Sequence, residues 1–151
     1  MLALLLQVKE VSDALNSSEW IFPAAECFHI AAFALSIGMI AIVDLRLLGL
    51  GMRHHTAAQL LHDTEPWSII GLAIVLISGP VLFLSDPRMY LYNESFRFKM
   101  TALLLAIVYN FTMRRRIALM GASPGVGRLA ALISLALWLA VVYAGIFIAF
   151  V

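Results

Sequence analysis

A single cysteine, Cys27, is all that this chain of 151 residues contains. That excludes an intrachain disulfide and any cysteine-cluster metal site. Its position within an apolar run marks it as a small packing residue. Charge is scarce too: Asp, Glu, Lys and Arg make up 13% of the residues, with a formal net charge of +1. No basic block and no interleaving of basic with aromatic residues occurs, so nucleic acid is not an expected partner. Met1 to Leu6 is apolar but lacks a basic start and a small-residue cleavage site, and is read as mature protein rather than signal peptide. There is no internal repeat and no low-complexity segment. What fills the chain instead is hydrophobic: 63% of residues are of the types AVILMFWYC. Soluble globular domains do not carry that composition. An integral membrane protein does.

Apolar runs place four spans at about 20–45, 67–85, 96–114 and 129–151, where a bilayer crossing takes roughly 20 residues. The expected fold is one all-α transmembrane domain over 1–151, a four-helix bundle. Ahead of it, Leu4, Val8, Val11 and Leu15 recur at helical spacing, with Lys9, Glu10 and Asp13 elsewhere on the wheel. This describes an amphipathic helix on the membrane surface, although a partner-binding helix has the same pattern. Thr56 to His62 reads as a short interfacial turn, and Asp63 or Thr64 before Pro66 as the start of the second span. Pro80 removes a backbone hydrogen bond, which predicts a kink and a free Leu76 carbonyl. Gly71, Ser78 and Gly79 offer small surfaces to a neighbouring helix or a flat ligand. Tyr90 and Tyr92 suit interfacial anchoring.

The few polar residues inside the spans are the informative ones. In the first, Glu26, His29, Phe33, Ser36, Ile40 and Asp44 fall within about a quarter of the helix circumference. Ionisable groups facing lipid cost several kcal/mol, so this face is expected to point into the bundle. In the third span, Lys99, Leu103, Ala106 and Asn110 share a face. The fourth offers only Ser134, Trp138, Tyr143 and Gly145. Arg46, Arg53, Arg114, Arg115, Arg116 and Arg128 gather on one side, against Lys9, Arg88, Arg97 and Lys99 on the other. The bias predicts both termini outside, periplasmic in a bacterium. Counting at about 1.5 Å per residue then puts Glu26, His29, Pro80, Lys99 and Tyr143 in the outer half. Asp44, Arg46, His54, His55 and His62 fall at the inner boundary.

A neutral imidazole is a good iron ligand when its other nitrogen has a partner that sets its tautomer. His29 fits that role, with Glu26 as its second shell or as a partner of Lys99; it fits equally a hydrogen-bonded structural histidine. A bis-histidine haem is not available, because the other three histidines lie across the bilayer. An iron bound to His29 would keep its sixth position empty, or take Lys99 or another subunit. Lys99 can be neutralised by burial or can snorkel to the boundary. His54, His55 and His62 read as solvated loop residues. Asp44 and Arg46 are candidates for an ion pair at the inner boundary, with each other or with the third span. The seven methionines lack a repeated motif and read as core and lipid contacts rather than a copper relay.

The run from His29-Ile-Ala-Ala-Phe through Asp44-Leu-Arg46-Leu-Leu resembles a bacterial membrane family known only as a domain of unknown function. More distantly it is similar to HemJ-type protoporphyrinogen oxidases and CopD copper-resistance membrane proteins. His29, Arg46, Lys99 and Tyr109-Asn110 occupy places that match the HemJ-type pattern, as does Gly79 before a short loop. The chain departs from it at Asp44, and at Asn110 where those proteins have histidine. Over roughly Trp20 to Arg116 the resemblance implies a four- or five-helix membrane fold holding haem b, with His29 and Lys99 as the functional pair. Glu26 and Tyr143, in the same outer half by depth, are the further candidate cofactor-binding residues. The expected function is electron transfer between quinone and an outer-face membrane or periplasmic redox partner, in a bacterial inner membrane. A second copy of the chain is compatible with this. Two rival expectations are a non-catalytic anchor in a larger membrane complex, and a small proton-coupled transporter using Glu26 or Asp44.

Overall fold

The computed structural model of the chain describes residues 10, 12, 13, 17, 19–52 and 54–150. The expected surface helix through Leu4, Val8, Val11 and Leu15 lies outside the described residues. Among the described residues the fold is entirely helical: α1 is Ile21–Leu48, α2 Ala57–Ser85, α3 Pro87–Tyr92 and α4 Glu94–Tyr109. A π-helical turn, Asn110–Arg114, runs straight into α5, Arg115–Met120. Then come α6, Pro124–Phe147, and a 3₁₀ turn, Ile148–Phe150.

Three of these helices, α1, α2 and α6, are long and apolar enough to cross a membrane. At 28, 29 and 24 residues they exceed the roughly 20 that a bilayer core needs. Their outward faces carry Phe28, Ile77, Leu132 and Leu139, all exposed. An apolar surface of that extent belongs against lipid rather than water.

Local chemistry sets the helix ends. Gly49 terminates α1 in the left-handed region at φ 84°. Its N–H donates to the Arg46 carbonyl at 3.0 Å and that of Leu50 to the Leu45 carbonyl at 2.9 Å, the paired bonds of a Schellman motif. The α2 start differs from the sequence expectation. Thr56 accepts from the Gln59 N–H at 3.2 Å, and the Gln59 side chain accepts from the Thr56 N–H at 2.9 Å. This capping box begins the helix ten residues before Pro66, which is accommodated inside it. The helix also continues through Pro80 to Ser85. At the far end Asn93 caps α4 by accepting from the Phe96 N–H at 3.0 Å, and its amide donates to the Ile148 carbonyl at 3.0 Å. Asn93→Ala is therefore expected to cost about 1–2 kcal/mol. The check is the midpoint of unfolding in mixed detergent micelles.

Packing runs α2–α1–α6–α4 in lateral order, with α5 closing against the start of α2. The α1–α2 contact is the closest. Ser36 Oγ donates to the Ser68 carbonyl at 2.9 Å, and a Cβ on Gly71 would lie 2.7 Å from the Ala32 carbonyl oxygen. Small residues at this crossing let the two backbones meet. The main core joins Ile40, Leu72, Leu103, Ala106, Trp138 and Val141, with Phe33 edge-on to Trp138 at 6.2 Å between ring centroids. A second cluster of Val43, Leu60, Leu61 and Ala118 sits nearer the arginine-rich end.

Candidate functional site

The face foreseen on α1 exists, but its burial is graded. Ser36, Ile40 and Asp44 are buried, His29 and Phe33 half-buried, and Glu26 exposed. Polar chemistry therefore gathers at two levels.

The first level is around His29. Its Nδ1 lies 2.7 Å from Ser78 Oγ on α2, and that hydroxyl donates to the Ile74 carbonyl one turn back at 2.7 Å. Ser78, not Glu26, is thus the hydrogen-bond partner of His29. The hydroxyl has one proton for these two neighbours: when it donates to Ile74 it accepts from the imidazole Nδ1–H, and in that tautomer Nε2 keeps its lone pair. Gly79 borders the ring: a Cβ there would come 3.6 Å from His29 Cε1. Lys99, half-buried on α4, lies against Gly145 of α6, whose Cβ would meet Nζ at 3.3 Å. The charge of Lys99 acts on His29, and that of Glu26 on Lys99.

The Glu26 charge also acts on Tyr90, which clusters with Phe83 and Phe96 at ring-centroid separations of 5.3–6.0 Å. Burial pushes the Tyr90 phenol above its ordinary value and the Glu26 charge pushes it further. Tyr143 does not join this group. It is 63% exposed on the outer face of α6 and stacks on Phe147 at 4.4 Å. Pro80 and Cys27 are exposed as well, so Cys27 is a surface residue of α1 rather than a packing one.

The second level lies deeper and is almost fully enclosed. Arg114 Nε donates to Asp44 Oδ1 at 2.5 Å, Arg114 Nη2 to the Ile40 carbonyl at 2.7 Å, and Ser134 Oγ to Asp44 Oδ2 at 2.6 Å. Asp44, Arg114 and Ser134 are each no more than 1% exposed. So Asp44 pairs with the third helical segment, and Arg46 does not take part. Arg46 Nε instead donates to the His55 carbonyl at 2.6 Å, tying the end of α1 to the loop that follows.

The π turn makes this pairing possible. Along α4, the turn and α5 the buried positions are Leu103 and a four-residue series of Ala102, Ala106, Asn110, Arg114 and Ala118. An α-helix drifts about 40° over each such step at about 100° per residue. The wider i→i+5 turn absorbs part of that drift and keeps Asn110 and Arg114 facing the core. One turn from the ion pair, Asn110 Oδ1 and Trp138 Nε1 are buried without a hydrogen-bond partner. Tyr109 leaves the core, and its hydroxyl donates to the Ala130 carbonyl at 3.1 Å.

No group of three or more metal-binding side chains occurs among the described residues. His54, His55 and His62 are exposed at the arginine-rich end. Of the polar residues that the sequence singled out, Asp44 and Asn110 are buried and His29 and Lys99 half-buried, whereas Ser78 as a partner, Arg114 as the counterion and Trp138 as a buried donor were not foreseen. The Arg114 signal was legible: it continues the Lys99, Leu103, Ala106, Asn110 face by one turn, whereas Arg115 and Arg116 leave it.

A family model described as a family of unknown function (DUF6644) matches residues 21–151. No curated protein and no solved structure matches the chain.

Proposed function

The chain belongs to this family of unknown function, so its role is read from its own residues, and we propose that it is a small membrane redox protein holding haem b through His29. One observation carries the reading: Ser78 Oγ lies 2.7 Å from Nδ1 of the half-buried imidazole, and in the Nδ1–H tautomer this contact leaves Nε2 as the donor nitrogen. That is what an iron-binding histidine requires of its second shell. The donor set accordingly fits haem as a single imidazole, with Gly79 presenting no side chain beside the ring. Haem b, when bound, supplies a one-electron iron couple. Lys99 adds positive charge near His29, which favours an anionic group such as a propionate there.

The finer architecture belongs to the same proposal. Unbroken helix from Glu94 to Met120 serves as a fourth span, interrupted only in its hydrogen-bond pattern by the π turn. Arginine placement favours both termini on the periplasmic side of a bacterial inner membrane. Likeness to HemJ-type and CopD proteins rests on His29, Arg46, Gly79, Lys99 and Tyr109-Asn110. Electron exchange between quinone and an outer-face partner is the corresponding activity. For the transporter alternative, Asp44 is held by Arg114 and Ser134, which leaves Glu26 as its candidate carrier.

The test is the absorption spectrum of protein purified after haem-replete expression. A Soret band is expected in the wild type and lost in His29→Ala, while Ser78→Ala should weaken haem retention about 10–100-fold. Absence of the band in the wild type overturns the reading in favour of a non-catalytic anchor subunit.

A further inference from the structure

The arginine-rich end holds a cavity of about 290 Å³ between the end of α1, the start of α2, the end of α5 and the start of α6. Arg46 and Arg128 line it, and no acidic residue does. Two other arginines at this end are paired with acids, Arg114 with Asp44 and Arg115 with Glu65 at 2.7 Å, and Arg116 is exposed but does not line the cavity. Arg46 uses only Nε, toward the His55 carbonyl, and its two terminal nitrogens stay available. Arg128 is exposed and forms no ion pair among the described residues. Two arginines from different helices thus line one recess, with no acidic residue among its described lining residues.

The recess is also open where a ligand would enter. A Cβ on Gly49 or Gly121, both in its lining, would meet no atom within 4 Å. The rest of the lining is small or apolar, including Leu47, Ile117 and Ala118. An arginine pair over an apolar floor, at the end of helices that cross a bilayer, matches a phosphate group with hydrocarbon beneath it. Guanidinium is the side chain best suited to hold phosphate oxygens in pairs. We infer that this cavity, between Arg46 and Arg128, is a phosphate-binding site, occupied by the headgroup of an anionic phospholipid or by free phosphate. It lies at the opposite end of α1 from His29, so its failure and that of the haem reading are separable.

The experiment uses the full chain in neutral detergent and follows thermal unfolding at constant ionic strength. The added probes are phosphatidylglycerol, inorganic phosphate, or a phosphate-free glycolipid with the same acyl chains. Stabilisation by phosphatidylglycerol alone identifies a lipid headgroup; stabilisation by both phosphates shows that the free anion suffices. In either case Arg128→Gln, which breaks no contact in the fold, should weaken the apparent affinity about tenfold or more. Arg46→Gln should do the same, and Arg128→Gln keeps the test decisive if that variant is misfolded. Arg116→Gln, exposed and outside the lining, should respond like the wild type. The proposal is overturned if neither phosphate stabilises the protein, or if the glycolipid stabilises it equally. It also fails if Arg128→Gln keeps the full response, or if Arg116→Gln loses as much as Arg128→Gln.

Discussion

Arg114→Gln is expected to destabilise the protein by about 3–5 kcal/mol, the cost of leaving one member of a buried ion pair without its partner. Asp44 is 0% exposed, and only the Ser134 hydroxyl would remain to it as a close donor. The Ile40 carbonyl, which accepts from Arg114 Nη2, would lose that bond as well. Asp44→Asn should cost a similar amount from the other side, because a buried guanidinium would then face a neutral amide. The double variant Asp44→Leu/Arg114→Met separates the pair's own contribution from the penalty of breaking it. Replacing both charges with apolar groups of similar size is often close to neutral, so this protein should be more stable than either single variant. Unfolding midpoints in mixed micelles measure all three. A single-variant loss below about 0.5 kcal/mol, the range of an ordinary surface substitution, would show that the pair does not form in the membrane.

The second large effect concerns two glycines and should show opposite signs. At Gly71 an added Cβ would sit 2.7 Å from the Ala32 carbonyl oxygen, 3.0 Å from the Ser36 nitrogen and 3.1 Å from the Ser36 Cβ. Two of those three atoms are backbone, so α1 and α2 must separate to admit it. Gly71→Ala should then cost about 1–3 kcal/mol as overpacking, and Gly71→Leu more. The Ser36–Ser68 hydrogen bond lies at the same crossing and would be stretched with it. At Gly38, on α1, a Cβ meets nothing within 4 Å. There the intrinsic helix preference for alanine acts alone, and Gly38→Ala should stabilise by about 0.5–1 kcal/mol. Two Gly→Ala changes of equal sign would mean that the α1–α2 contact is looser than the structure has it.

Both predictions rest on the α1 face, and they show how much of the site could be read in advance. Periodicity placed Ser36, Ile40 and Asp44 on one side of the helix, and those three are buried. It placed Glu26 there too, yet Glu26 is exposed. Angular position on a helix is a local property. Whether a neighbour covers it is not. Tyr143 was chosen by depth alone, which says nothing of azimuth, and it lies on the outward face of α6. The α2 start was missed for a different reason. Thr56 and Gln59 carry the spacing of a capping box, but the proline ten residues later was the louder helix-start signal.

Composition alone determined that this is a membrane protein. The free energy of exposing so much apolar surface to water scales with area and depends little on arrangement. Helical periodicity, also local, determined which residues could share a face. Tertiary structure decided the partners: Arg114 rather than Arg46 for Asp44, and Ser78 rather than Glu26 for His29. A hydrogen bond is decided by distances of a few tenths of an ångström between atoms on different helices. Those distances follow from the approach allowed at Gly71, from the phase set by the π turn, and from the order of helices around the bundle. All three appear only when the helices are packed together.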